Sequence, residues 1–327
     1  MQIAMFRPVA MRRAIVVAAW LLCSHAFAAF PDKPIRVVIP YPPGGTQDLM
    51  IRALQDALVK SLGQPVVIDN RPGAAGVVGN QEVARAAPDG YSLALANSGL
   101  VITPMVQSGA ASFDLARDLA PVTLLGTSPL VLFAHPSVPA DDLKGFIAFG
   151  RSQPGGLTYS SSGLGGLGHL AAELMLKSAG IKGLHVPYKG SAPGTMAVLS
   201  GEVQFTVTTI SDTATQNVEA KRLKALAVTT KRPYGGLPNA LPVNTVLSGF
   251  DIGVWFGIVA PKGTSPDVVQ LLNKAFAAAL AQDDVRKRYA ALGLVIESTT
   301  PAEFGDMMAR EKATWAPIVK ELNIRAE

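Results

Sequence analysis

Three short stretches of this chain join glycine to hydroxyl or amide side chains where an apolar run gives way to a helical pattern. They are Pro43-Gly44-Gly45-Thr46, Asn97-Ser98-Gly99 and Ser160-Ser161-Ser162-Gly163. Glycine lets backbone approach a ligand closely, and Ser or Thr adds a hydroxyl donor. A helix that starts at such a stretch offers unpaired backbone N–H groups and the positive end of its dipole, which suits an anion. A single stretch of this kind reads as readily as a tight turn with a helix cap. Two that converge, one from each of two domains, make a shared anion site.

Other chemistry lacks its parts. Gly163-Leu164-Gly165-Gly166-Leu167-Gly168 spells G-x-G-x-x-G between a predicted strand and a predicted helix, as a dinucleotide site requires. The acid expected at the end of the next strand is missing, and Tyr188-Lys189 stands there instead. There is no G-x-S-x-G, Walker A or H-E-x-x-H sequence. Apart from His25 near the N-terminus, the histidines are His135, His169 and His185, without metal-ligand spacing. His135 and His185 read as structural, while His169, beside the glycine loop, reads equally as a cap or a pocket residue. Asp48 reads as dipole compensation or ligand contact. No catalytic residue, cofactor or metal is expected.

The elements that must position these loops follow from periodicity. Ile35–Tyr41 reads as a strand, followed by a helix capped by Thr46 with Met50, Ala53, Leu54, Ala57, Leu58 and Leu62 on one face. Val66–Asp69 and Ser92–Ala96 read as strands, and Val122–Leu125 and Pro129–Ala134 as two short apolar runs. A second series begins at Leu157–Ser160 and continues through helix Leu170–Ser178, strand Leu184–Pro187, helix Gly194–Leu199 and strand Val203–Thr208. Further apolar runs lie at Leu223–Thr229 and Val254–Ala260. Ser265-Pro266 and the capping box Thr300-Pro301-Ala302-Glu303 start two final helices, the last containing Pro317, an expected kink. Strands separated by helices predict an α/β protein with parallel sheets in two domains. One lobe is expected over 30–126 plus 230–327 and the other over 127–229.

The first residues bear on compartment. Arg7, Arg12 and Arg13, the apolar run Ala14–Leu22 and Ala26-Phe27-Ala28 have the order of a cleaved signal peptide covering 1–28. Its removal takes three arginines and no acid, lowering the net charge from +5 to +2 and leaving no cysteine, since Cys23 is the only one. No basic cluster marks a nucleic-acid surface. An exported α/β hydrolase or transferase is the alternative in this architecture, and it would need a nucleophile and base that the sequence does not display.

Taken in order, several motifs resemble one family. They are Pro34-Ile35-Arg36-Val37-Val38 running into Pro42-Pro43-Gly44-Gly45-Thr46 and Asp48; Gln64-Pro65-Val66-Val67; Asn70-Arg71-Pro72-Gly73; Pro88-Asp89-Gly90-Tyr91; His185-Val186-Pro187-Tyr188-Lys189-Gly190; and Trp255-Phe256-Gly257 before Ala260-Pro261. They resemble the Bug-type solute receptors of tripartite tricarboxylate transporters across essentially the whole chain after residue 28. The resemblance implies a two-lobed type II periplasmic binding protein fold with the ligand cleft between lobes. It implies a periplasmic monomer that captures a small carboxylate for the membrane subunits of a transporter. The ligand contacts it implies are Gly44, Gly45 and Thr46; Asn97 and Ser98; Ser160, Ser161, Ser162 and Gly163; and Tyr188, Lys189 and Gly190 at the rim. His169 and Thr208 complete the candidate site. Gln204 and Thr208 stand where many relatives carry acids, which disfavours an amine-bearing ligand.

Overall fold

The computed structural model describes residues 30–73, 76–106, 114–188 and 190–321. The predicted signal segment and Lys189 lie outside the described residues. Lys33–Glu327 form one compact unit, and every strand and helix named below belongs to it. Its first part runs β1 (Ile35–Ile39), α1 (Thr46–Leu62), β2 (Val66–Asn70), α2 (Val77–Ala84), β3 (Ser92–Asn97), α3 (Ser98–Val106), α4 (Leu115–Asp118) and β4 (Leu119–Ala134). Next come α5 (Leu143–Arg151), β5 (Leu157–Ser161), α6 (Leu167–Ala179), β6 (Gly183–Pro187), α7 (Ser191–Leu199), β7 (Phe205–Thr209), α8 (Asp212–Glu219) and β8 (Lys224–Val228). The chain ends with β9 (Gly253–Pro261), α9 (Pro266–Leu280), α10 (Asp283–Ala291), β10 (Val295–Ile296) and α11 (Pro301–Glu321).

The apolar face predicted for α1 is buried in full. Gly45, however, holds the N-cap position and Thr46 is the first helical residue. Ser265 caps α9 and Thr300 pairs reciprocally with Glu303 at α11, as their sequences predict.

Hydrogen bonding links the strands in the order β2-β1-β3-β9-β4-β7-β5-β6, with β8 and β10 also on β4. The βαβ segments are parallel, as expected: β1 with β2 and β3, and β5 with β6 and β7. The sheet as a whole is mixed rather than parallel, because β9 runs antiparallel to both β3 and β4, and β4 antiparallel to β7 and β8. The two runs Val122–Leu125 and Pro129–Ala134 belong to one strand of 16 residues, β4. Pro129 is its last residue paired with β9, and from Leu130 onward the partners are β7 and β8. Proline has no N–H to leave unpaired, so the ladder changes partners there at little cost.

Separate apolar clusters flank this switch. One gathers Val38, Ala94, Leu124, Val259, Phe304 and Met308, and another gathers Leu132, Tyr159, Phe205, Trp315 and Val319. α11 therefore contributes to both, continuing through Pro317 to do so. Glu311 sits between its two ends, accepting from the indoles of Trp255 and Trp315. Burial pushes its carboxyl up to about 7, against the pull of those two bonds. Phe304 is fully buried, edge-on to Trp255 at 5.3 Å between centroids. Phe304→Ala is expected to cost about 3–5 kcal/mol through transfer and cavity effects, read as a lower midpoint in urea denaturation followed by circular dichroism.

Candidate functional site

A cavity of about 760 Å³ opens where the strand ends and loops of the two groups of elements meet, within the size range of small-molecule sites. Its floor is the crossing strands, with Ser128 and Leu130 of β4 and Val254 and Phe256 of β9. Its walls are helix starts: Gly45-Thr46-Gln47 of α1, Ser98-Gly99 of α3, Gly166-Leu167-Gly168 of α6 and Gly190-Ser191 of α7. Gly45, Gly166 and Gly190 are N-cap residues that supply no side-chain hydrogen bond. Elsewhere Asp114, Asp142, Ser265 and Thr300 cap their helices with side-chain oxygens. Gly76 and Gln282, which begin α2 and α10, are likewise without side-chain caps but do not line the cavity. Helix N-termini each carry about half a positive charge, and here they converge. Among the described residues, no charged side chain lines the cavity.

Each loop is shaped by groups behind it. Asp48 is buried and turns back, accepting from Gly44 N–H at 2.9 Å, Arg52 Nε at 2.8 Å and Asn70 Nδ2 at 3.1 Å. Burial works to raise its pKa, but these bonds outweigh that and hold it below the usual carboxylate value. Tyr41, two residues beyond β1, accepts at its hydroxyl from Asn97 Nδ2 at 2.6 Å, and Asn97 Oδ1 accepts from Gly99 N–H at 2.9 Å. Burial pushes the Tyr41 hydroxyl up to about 12, so it stays a neutral donor. Ser98 Oγ is buried, lines the cavity and has no hydrogen-bond partner among the described residues. A buried hydroxyl in that condition calls for a partner.

On the opposite wall, Ser161 Oγ donates to Gly163 O at 2.9 Å and accepts from Gly163 N–H at 3.1 Å. With its one hydrogen given to Gly163 O, it accepts from His185 Nε2 at 2.7 Å, the reverse of a nucleophile–base pair. It is buried outside the cavity lining, so it organises the loop rather than facing a ligand. His169 is also buried, its Nδ1 accepting from Gly165 N–H at 3.0 Å. Gly168 lets α6 press on β7, where a Cβ would lie 2.3 Å from Val207 O.

Comparison with known proteins gives the family. The chain matches the model of the tripartite tricarboxylate transporter family receptor, TctC, over residues 50–324. The chain belongs to this receptor family. It is 34% identical to Protein BugT of Bordetella pertussis, across 95% of this chain and 98% of that protein. Among solved structures it is similar to a Rhodopseudomonas palustris protein with adipate, at 30% identity and TM-score 0.79, covering 90% of this chain and 99% of that one. It is similar also to MatC of R. palustris with bound malate, at 28% identity and TM-score 0.75, covering 89% and 100%. The fold is that of periplasmic solute-binding receptors of the TctC and Bug type.

In this receptor the cavity lining includes Gly45, Thr46, Asn97, Ser98, Ser162, Gly163 and Thr208 of the candidate residues. Gly44, Ser160, Ser161, His169 and Tyr188 do not line it. Gly44 gives its N–H to Asp48, Ser160 Oγ donates to Gly194 O, and Tyr188 hydroxyl donates to Glu202. Gln204 is spent on Thr158 N–H at 2.8 Å, away from the cavity. Sequence reasoning misses Tyr41, Ser128, Ser191, Thr209, Phe256, Leu292 and Leu294. Ser191 follows Gly190 at a helix start and is open to the same logic as the other loops. Leu292 and Leu294 carry no local signal, because only tertiary packing brings the end of α10 to the cavity.

The depressed pKa of Asp48 gives a pH test. A carboxylate held below its unfolded value stabilises the fold above that value, and the contribution is lost as pH falls through the folded pKa. Asp48→Asn is expected to lower Tm at pH 7, with the gap to wild type closing below about pH 4, checked by thermal melts across pH.

Proposed function

We propose that this receptor captures a small carboxylate in the cavity and hands it to the membrane subunits of a tripartite transporter, without chemistry of its own. The observation that carries the reading is the convergence of helix N-termini lacking side-chain caps on a cavity lined, among the described residues, by no charged side chain. Backbone N–H groups of Gly45, Thr46, Ser162 and their neighbours would hold the carboxylate, with the hydroxyls of Thr46, Ser98 and Thr208 adding to them. Hydrogen bonds to a charged group contribute about 1.5–3 kcal/mol each. Three or four therefore approach the roughly 8 kcal/mol of a micromolar complex, before the cost of ordering the site. The bound malate and adipate of the two R. palustris relatives support the ligand class.

Under the same reading the chain is exported, loses residues 1–28 and works as a periplasmic monomer. The lobes are 30–126 plus 230–327 and 127–229, closing about the partner switch at Pro129-Leu130 and the return between Val228 and Gly253. An exported hydrolase is disfavoured, since the lining hydroxyls have no histidine, carboxylate or lysine beside them in the described lining. An amino acid is disfavoured too, because its ammonium group would find no carboxylate in the described lining.

Thermal-shift screening against mono-, di- and tricarboxylates, with amino acids as controls, tests the reading. Carboxylates are expected to raise Tm and amino acids to leave it unchanged. Gly45→Leu is expected to abolish the shift, since a Cβ there meets nothing closer than 3.7 Å and the fold can accept it. Thr208→Asp is expected to abolish it through like-charge repulsion. A full response from both variants places the site elsewhere, and turnover of any bound compound overturns the non-enzymatic role.

A further inference from the structure

Behind the glycine-rich wall lies a histidine pair that the binding reading does not use. The rings of His169 on α6 and His185 on β6 stack at 3.8 Å between centroids, 10° from parallel. Each is tied to the same loop by one ring nitrogen. His169 Nδ1 accepts the Gly165 N–H, and His185 Nε2 reaches Gly163 through Ser161 Oγ, which bonds both its N–H and its carbonyl. Gly163 and Gly165 both line the cavity. Resting on the carboxylate-receptor reading, we infer that His169 and His185 are positioning residues, whose neutral rings fix the Gly163–Gly168 loop in its anion-binding shape and make binding proton-linked on the acid side.

The link is a matter of hydrogen positions. Because Nδ1 of His169 accepts, its ring proton is on Nε2, which faces Glu173 Oε1 at 4.0 Å. A second proton must go to Nδ1, where it points at the Gly165 N–H. Two donors then oppose each other and the loop has to move. Protonating both rings also stacks two like charges. The surrounding titratable groups are few. Tyr159 on β5 stacks on both histidines and donates to Glu173. Lys177 and Lys182 share an outer groove with Glu173, while α3 and β7 bring Val106 and the Val207 backbone against the loop. Burial lowers His169 to about 3, with His185 adding to the shift, and lowers His185 to about 4. The pair is therefore neutral at physiological pH, and the loop loosens only toward pH 4.

NMR of the labelled mature protein tests this without ligand. On acidification the Gly165 amide is expected to shift with the midpoint of the His169 imidazole and the Gly163 amide with that of His185, while the Gly45 and Thr46 amides do not follow. Loop amides indifferent to the imidazole titration overturn the inference. Calorimetry with malate and with adipate adds the binding arm. His169→Asn keeps an acceptor near the Nδ1 position and is expected to bind within about threefold of wild type, whereas His169→Leu loses about tenfold or more, as for one lost hydrogen bond. His169→Asn combined with His185→Gln is expected to hold its affinity further into acid than wild type, the ligand's own titration being common to both. Equal impairment by Asn and Leu reduces His169 to a packing residue and sinks the proposal. If neither probe binds wild type, the carboxylate reading is what fails for these ligands, and the NMR titration decides the positioning role by itself.

Discussion

An α-helix leaves its first N–H groups without partners, and a folded protein must satisfy them somehow. At several helices away from the cavity this chain does so with side chains, such as Asp142 on Gly145 and Ser265 on Val268. At α1, α6 and α7 it places glycine at the N-cap, which offers no side-chain acceptor. Three such unmet demands are thereby gathered in one enclosure, and a carboxylate can meet them. Most of the surrounding architecture keeps those three helix starts on one cavity.

The strand β4 sets that placement. Its two ends belong to different ladders, so β4, with its partner β9, connects the strands whose loops form one wall to those whose loops form the other. α11 reinforces the arrangement from behind, with Phe304 in one apolar cluster, Trp315 in another, and Glu311 bonded to an indole from each.

Much of this is legible in the sequence because it is local. The faces of α1 and α9, the caps at Ser265 and Thr300, and the glycine loops at strand ends all follow from spacing and backbone chemistry. The features that escape a sequence reading depend on distant partners. Val122–Leu125 and Pro129–Ala134 read as separate runs, yet both lie within β4, and Pro129 sits where the ladder changes partners, so its missing N–H costs little. The segment Ser98–Val106 is apolar on all sides and contains Pro104, so only its helix start at Asn97-Ser98-Gly99 is legible; burial against α11 and β9 carries the helix on to Val106. Ser161 and His169 stand beside the right loops, which makes each a possible ligand contact on position alone. Side-chain direction, which sequence does not encode locally, turns both into supports for the loop.

Backbone amides have a property that side chains lack, since almost no substitution can delete them. If the anion is held by N–H groups of helix starts, sequence drift can replace most of the pocket's side chains without losing the charge recognition. What drift alters is the apolar floor and the hydroxyls, such as Leu130, Val254, Phe256, Leu294 and Thr208, which judge the rest of the molecule. Such a scaffold can change its cargo by a few replacements while its grip on the shared functional group is inherited intact. Relatives that keep only about a third of their residues in common can then diversify in diet without reinventing the site.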